Sequence, residues 1–174
     1  MENNKLLKMC RTAMFAALIC VSTIIIQIPS PLGGYINLGD SFIVAASVFL
    51  SPLFAFTAGS LGSALADILT GYTIYAPATF IIKGLMALTI SFMYKALLKK
   101  GGKLSRYAVS LSAVPAEIIM IIGYYLFSAL ISGGFIAALQ TVPGNAVQGL
   151  AGIICGSAIT FAIKKAGALS AFKQ

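Results

Sequence analysis

The stretch KALLKKGGKLSR (residues 95–106) places five basic residues between two long apolar runs, at residues 77–98 and 106–131. Runs of about 20 apolar residues are long enough to cross a bilayer as helices. Basic residues in short connections between such helices collect on the cytoplasmic side. The charges of residues 95–106 therefore indicate which side of a membrane this connection faces.

The whole chain has the composition of a membrane protein. Of its 174 residues, 59% are hydrophobic and 9% are charged, whereas soluble domains carry about 25% charged residues. Its 12 basic and 4 acidic side chains cannot cover a water-soluble globule this apolar, so the composition excludes soluble enzymes and nucleic-acid-binding modules. The formal net charge of +8 indicates membrane orientation, because nearly all basic residues lie between apolar runs.

Six apolar segments are predicted to cross the membrane, at residues 12–28, 40–50, 53–69, 77–98, 106–131 and 143–163. The alternative is five spans, with residues 40–69 forming one long helix bent at Pro52. Six spans put the basic clusters of residues 5–11, 95–106 and 164–173 on one side, whereas five spans would split them. We therefore predict an all-α integral membrane protein of the cell membrane, a single-domain bundle of six transmembrane helices over residues 1–174 with both termini cytoplasmic.

Three connections then face the exterior, at residues 29–39, 70–76 and 132–142. The first contains Ser-Pro-Leu-Gly-Gly at residues 30–34, which cannot continue a helix. Irregular segments held by a rigid scaffold often carry binding residues. We expect a binding surface on this face.

Four charged residues lie at membrane depth, where an isolated charge costs about 2.5 to 3.5 kcal/mol or more. Asp67 and Lys83 have similar depths, which leaves two compatible roles open, an ion pair between them and contact with a ligand. Glu117 lies near mid-membrane and is a further ligand candidate. Asp40 begins the second span, and we expect it to cap that helix.

Amides and tyrosines add to the candidate site at the outer face. Asn145 and Gln148 share one helix face near the external end of the last span, where they can bind a polar heterocycle or link helices. Tyr35 and Tyr75 lie in external connections and could stack on a flat ligand, although an interfacial aromatic belt explains the same bias.

Two alanines four residues apart, Ala13 and Ala17, would let another helix approach the first span closely. The chain has no histidine and no CxxC pair, and it lacks the GxxxxGK[ST] loop that cradles phosphates. We therefore expect no metal, no cofactor and no enzymatic activity.

The pattern resembles the S component, the substrate-binding subunit, of an energy-coupling factor (ECF) vitamin transporter. The stretches YINLGD at residues 35–40, ALAD at residues 64–67 and FIIKGL at residues 80–85, after Pro77, are similar to its riboflavin-transporter-type branch. The resemblance covers residues 11–165. It implies capture of a small water-soluble vitamin at the extracellular face, with riboflavin the first candidate and pyridoxine or hydroxymethylpyrimidine the next.

The resemblance also implies partners and roles for residues. A transmembrane coupling subunit and two cytoplasmic ATPases would drive transport, with Ala13 and Ala17 forming the docking surface for the coupling subunit. The loop around residues 35–37 would close over the ligand. The candidate substrate-binding residues, from the sequence and the resemblance together, are Tyr35, Asn37, Asp67, Tyr75, Lys83, Glu117, Asn145 and Gln148.

Two other classes of function stay open. One is a stand-alone proton-coupled carrier in which Glu117 or Asp67 titrates. The other is a membrane enzyme or assembly factor whose cavity holds lipid.

Overall fold

The computed structural model describes residues 2–29 and 35–167, which form eight helices and two short strands. Residues 30–34 of the predicted first external connection and Lys173 lie outside the described residues. In chain order the elements are α1 (Glu2–Ile25), β1 (Gln27–Pro29), β2 (Tyr35–Asn37), α2 (Gly39–Phe49), α3 (Pro52–Leu69), α4 (Ala76–Lys100), α5 (Gly102–Arg106), α6 (Ala108–Ser132), α7 (Phe135–Ala138) and α8 (Thr141–Lys165).

Helices occupy all six predicted spans, but they differ in length. Within residues 2–29 and 35–167, five helical segments are long and apolar enough to cross a membrane, and together with the family this makes the chain a multi-pass membrane protein. Helix α2 has 11 residues and is about 16 Å long at 1.5 Å per residue, about half of a 30 Å hydrocarbon core. Length and composition therefore support five full spans and one shorter apolar helix.

Helices α2 and α3 are separate, so the alternative of one bent helix over residues 40–69 is wrong. Leu50 follows α2 in an extended conformation, and Pro52 is the first residue of α3. Proline is well accommodated at a first helical position because its missing N–H has no intrahelical partner there.

Helix α2 lies inside the bundle. Nine of its 11 residues are buried, and it packs against α1, α4 and α8. Fully buried side chains of α2 and α4, including Ile43, Val44 and Met86, form much of the core. Large apolar side chains on the outer helices are exposed instead, as at Leu130 (81%) and Ile136 (86%), which fits a surface covered by lipid.

The first predicted external connection contains a short hairpin where the sequence suggested irregular chain. Strands β1 and β2 pair antiparallel, with Gln27 opposite Asn37 and Pro29 opposite Tyr35. The hairpin leads directly into α2 and brings β2 over one end of the helix bundle. Two short helices, α5 and α7, were also not foreseen.

Candidate functional site

A cavity lies beneath β2, where the ends of α3 and α6 meet the starts of α4 and α8. Its empty space is about 510 Å³, a volume that includes solvent-open space at its mouth. The lining residues are Tyr35, Ile36, Asn37, Asp67, Tyr75, Thr79, Tyr124, Ser128, Thr141, Gly144, Asn145 and Gln148. Six of the eight residues predicted to bind substrate thus surround one cavity.

Hydroxyl groups bridge the wall of the cavity between helices. The Tyr35 phenol donates a hydrogen bond of 2.6 Å to Asp67 Oδ1, which ties β2 to the end of α3. Thr79 Oγ1 and the Tyr124 phenol lie 3.0 Å apart and join α4 to α6. The second carboxyl oxygen of Asp67 has no hydrogen-bond partner among the described residues. This wall therefore has a buried acceptor available to a ligand.

Aromatic rings pack against one another at and behind this wall. Tyr72 packs edge-on against Tyr35 at 4.8 Å between centroids and against Tyr75 at 6.3 Å, and Tyr75 contacts Phe127 at 5.5 Å.

Burial, followed by the Asp67 carboxyl, raises the pKa of the Tyr35 phenol. Burial also raises the pKa of Tyr75, with smaller effects of Tyr72 and Asp67. Both phenols thus stay protonated and able to donate at physiological pH.

The floor of the cavity is a fixed hydrogen-bonded cluster around Gln148. Its side-chain oxygen accepts from the backbone N–H of Asn37 at 2.9 Å and from the Asn37 amide at 3.4 Å. Its side-chain nitrogen donates to Asp40 Oδ2 at 2.6 Å. Because both ends of the Gln148 amide are engaged, its orientation is set, and it anchors the end of β2 to α8 and α2.

Lys83 forms its ion pair with Asp40 and not with Asp67, the partner that the sequence had left open. Similar depth allowed either carboxylate, but the inward face of α2 presents Asp40 to Lys83, and Asp67 is engaged by Tyr35 instead. The Lys83 ammonium also lies 5.4 Å from the centroid of the Tyr124 ring. Lys83 is 2% exposed and does not line the cavity.

Asp40 does not cap α2, which corrects a second expectation. It lies one residue inside the helix, and no side chain caps that N-terminus. Its carboxylate is fully buried and is engaged by Lys83 and Gln148. Asp40 therefore belongs to the charged cluster below the cavity floor.

Glu117 lies below the floor and does not line the cavity. It is 3% exposed, and neither carboxyl oxygen has a hydrogen-bond partner among the described residues. Glycines on α8 make room for it, because a Cβ at Gly152 would lie 2.6 Å from Glu117 Oε1 and one at Gly149 would lie 3.1 Å from Glu117 Cβ.

The sequence analysis missed several lining residues that helical periodicity could have identified. Thr79 lies one turn before Lys83, and Tyr124 lies two turns after Glu117, so each shares a face with a residue already selected. Thr141 precedes Asn145 by one turn in the same way.

The predicted docking residues lie away from the cavity, on α1. Ala13 and Ala17 are exposed, whereas Phe15 and Ile19 of the same helix are buried in the core. The small residues therefore occupy the outward face of α1. Among the described residues, no group of three or more acidic, cysteine or histidine side chains could hold a metal ion.

Comparisons with known proteins agree with this architecture. The family model of the ECF-type riboflavin transporter S component matches residues 3–165. A protein of Pyrococcus woesei, described as "Uncharacterized protein in gap 3'region", is 32% identical over 148 residues, which are 84% of this chain and 95% of that protein. A solved structure described as "Structure and mechanism of the S component of a bacterial ECF transporter" superposes with a TM-score of 0.66 at 18% identity, over 95% of this chain and 98% of that chain.

The family model is that of a transporter component, and its family is not a family of enzymes. The chain belongs to the family of ECF-type riboflavin transporter S components, and it is a substrate-binding subunit of an ECF transporter. The family resemblance drawn from the sequence is confirmed.

Proposed function

We propose that this chain captures riboflavin, or a closely similar small vitamin, from the extracellular side in the cavity beneath β2. The observation that carries the proposal is the cavity itself, with a buried free acceptor on Asp67 and Asn145 among its lining residues. Phenols, amides and hydroxyls around one hollow suit a polar heterocycle that carries hydroxyl groups. The family model supports a flavin as the first ligand to test.

The proposal includes an orientation in the membrane with both termini cytoplasmic. Contacts at the cavity join the end of α3 to β2, the outer half of α6 to the start of α4, and the start of α8 to the start of α2. At the opposite end, Lys164 donates to the Tyr94 phenol at 2.8 Å, which joins the ends of α8 and α4. The chain thus changes direction at each of the six main helices, α2 included. Apart from Lys83, the basic residues of the described helices belong to the end away from the cavity, which the positive-inside rule assigns to the cytoplasm.

We propose that energy comes from partners, a transmembrane coupling subunit and two cytoplasmic ATPases. The exposed Ala13 and Ala17 on α1 offer a surface that a partner helix can approach closely,. A stand-alone proton-coupled carrier is the second candidate, and the observation in its favour is the buried Glu117 carboxyl without a hydrogen-bond partner among the described residues.

Titration of the purified chain with riboflavin tests the proposed ligand. We expect quenching of flavin fluorescence with a submicromolar Kd, and about tenfold weaker binding for Asn145→Ala, because the loss of a hydrogen bond costs about 1 kcal/mol or more. Leu130→Ala is the matched control, since Leu130 is 81% exposed on the outer surface. Mass spectrometry of ligand released from denatured protein identifies a pyridoxine or pyrimidine ligand if the flavin does not bind. Release of lipid alone would contradict a vitamin-binding function.

A further inference from the structure

The wall of the cavity offers a buried carboxyl group without a positive counterpart among the lining residues. Asp67 is 4% exposed, and one of its carboxyl oxygens accepts from Tyr35 while the other has no partner among the described residues. A buried acceptor of this kind loses its water without gaining a hydrogen bond. A ligand that donates an N–H or O–H group to Asp67 Oδ2 would supply the missing bond.

The cavity presents no cationic side chain to a ligand. None of the lining residues is lysine or arginine, and residues 30–34, outside the described part, are Ser-Pro-Leu-Gly-Gly. The Lys83 ammonium lies below the floor, is 2% exposed and is paired with Asp40. A phosphate or carboxylate in the cavity would therefore lose its hydration without gaining a charged partner.

The groups at and below the cavity carry a net charge that attracts an anion in only one protonation state. Three carboxyl groups (Asp40, Asp67 and Glu117) accompany one ammonium (Lys83) in this region. The sum is positive only if all three carboxyl groups are protonated. In all other states the field is neutral or negative, and the Asp67 carboxyl lies on the wall itself.

We propose that Asp67 makes this cavity selective for the charge of its ligand. The cavity takes an uncharged or cationic ligand that donates a hydrogen bond to Asp67 Oδ2, and it rejects the phosphorylated or carboxylated form of the same molecule. Specificity of this kind comes from a repulsive element as well as from attractive contacts. The inference rests on the proposed function and adds the substrate's charge class to it.

Riboflavin and riboflavin 5′-phosphate are the probes for this inference, since they differ in the phosphate group alone. We expect the parent chain to bind the phosphate about 100-fold more weakly than riboflavin near neutral pH, because a desolvated like charge costs several kcal/mol. In Asp67→Asn the ratio of the two Kd values should fall about tenfold, with riboflavin itself also bound more weakly. Asn145→Ala is the matched control and should weaken both ligands alike, with an unchanged ratio.

Each outcome of this experiment bears on a defined claim. Equal affinity of the parent for the two flavins would overturn the inference and leave the proposed function intact. Discrimination by the parent that persists unchanged in Asp67→Asn would overturn the role of Asp67. The comparison in the parent needs no variant, so misfolding of Asp67→Asn would not remove the test. Failure of the parent to bind either flavin would overturn the assignment of a flavin as its ligand, and this inference with it.

Discussion

The side chains below the cavity floor combine strong pairing with one unpaired acid. Lys83 and Asp40 are both nearly inaccessible and pair with each other, while Gln148 supplies the second hydrogen bond to Asp40. Glu117 packs against α8 close to them, in the space that Gly149 and Gly152 leave open. The floor of the site therefore depends on the side chains of α2, α4, α6 and α8 together.

Lys83→Met should lower thermal stability strongly, because it leaves the buried Asp40 carboxylate without its cation. Loss of one partner of a buried pair costs about 3 to 5 kcal/mol. Thermal unfolding in detergent measures the effect. The double variant Lys83→Met with Asp40→Asn is the matched control and should recover much of the loss, since it removes both charges. A Lys83→Met variant as stable as the parent would show that the pair contributes little.

Sequence reasoning identified the charged residues at membrane depth but not their pairing. The cost of burying charge singled out Asp40, Asp67, Lys83 and Glu117 without a structure. Position along a helix gives depth, however, and both Asp40 and Asp67 fit the depth of Lys83. The choice between the two carboxylates depends on which way each helix faces. The sequence does not give that direction, whereas the structure shows that the enclosed α2 presents Asp40 to Lys83.

At the scale of helices, glycine allows α1 to lie close against α3. A Cβ at Gly62 would lie 2.5 Å from the carbonyl oxygen of Ala16 and 3.0 Å from Cβ of Ile19. The inner face of α1 therefore packs closely against the backbone of α3, whereas the outer face carries Ala13 and Ala17. A shift of α1 relative to α3 would also move the proposed docking surface.

Gly62→Ala should lower the thermal stability, although alanine has the higher helix propensity by about 1 kcal/mol. Crowding against the backbone of α1 costs about 1 to 3 kcal/mol and outweighs that gain. Gly134→Ala is the matched control, because the same added methyl group meets open space on an extended backbone at that position. Thermal unfolding of the two variants makes the comparison, and equal midpoints would contradict close packing of α1 and α3.

The helix positions could be predicted closely because their ends carry strong signals. Basic residues lie in the last turn of α4, and Pro52 begins α3. The predicted boundaries of α2, α3, α4, α6 and α8 therefore differ from the observed ones by a few residues at most. The start of α1 is further off, since the polar residues before position 12 are helical as well. The β1–β2 hairpin was missed because three-residue strands leave no readable alternation of apolar and polar residues.

For the whole molecule, the proposed docking surface gives a prediction about coupling. Ala13→Leu with Ala17→Leu should abolish co-purification with a coupling subunit and ATPases, because the larger side chains keep a partner helix at a distance. Riboflavin binding by the isolated chain should be unchanged, since α1 supplies no lining residue. Ala162→Leu, an exposed alanine on α8, is the matched control.

If the variant Ala13→Leu with Ala17→Leu still associates with the coupling subunit and ATPases, that result would contradict the docking proposal. Uptake into vesicles that contain this chain alone, abolished by an uncoupler, would favour the proton-coupled carrier instead. Both measurements use the full chain, and they separate a subunit that needs partners from a carrier that works alone.

The enclosed helix α2 has a consequence for the path of a solute. One turn further into the bundle than Asp40 and Lys83, the side chains of Ile43, Val44 and Met86 are completely inaccessible. A molecule moving straight inward would have to separate an ion pair and then displace close-packed apolar side chains. The path back through the mouth of the cavity is already open. Release of the ligand through the mouth by which it entered is therefore easier. A change in the direction that the mouth faces would then decide on which side of the membrane the ligand is released.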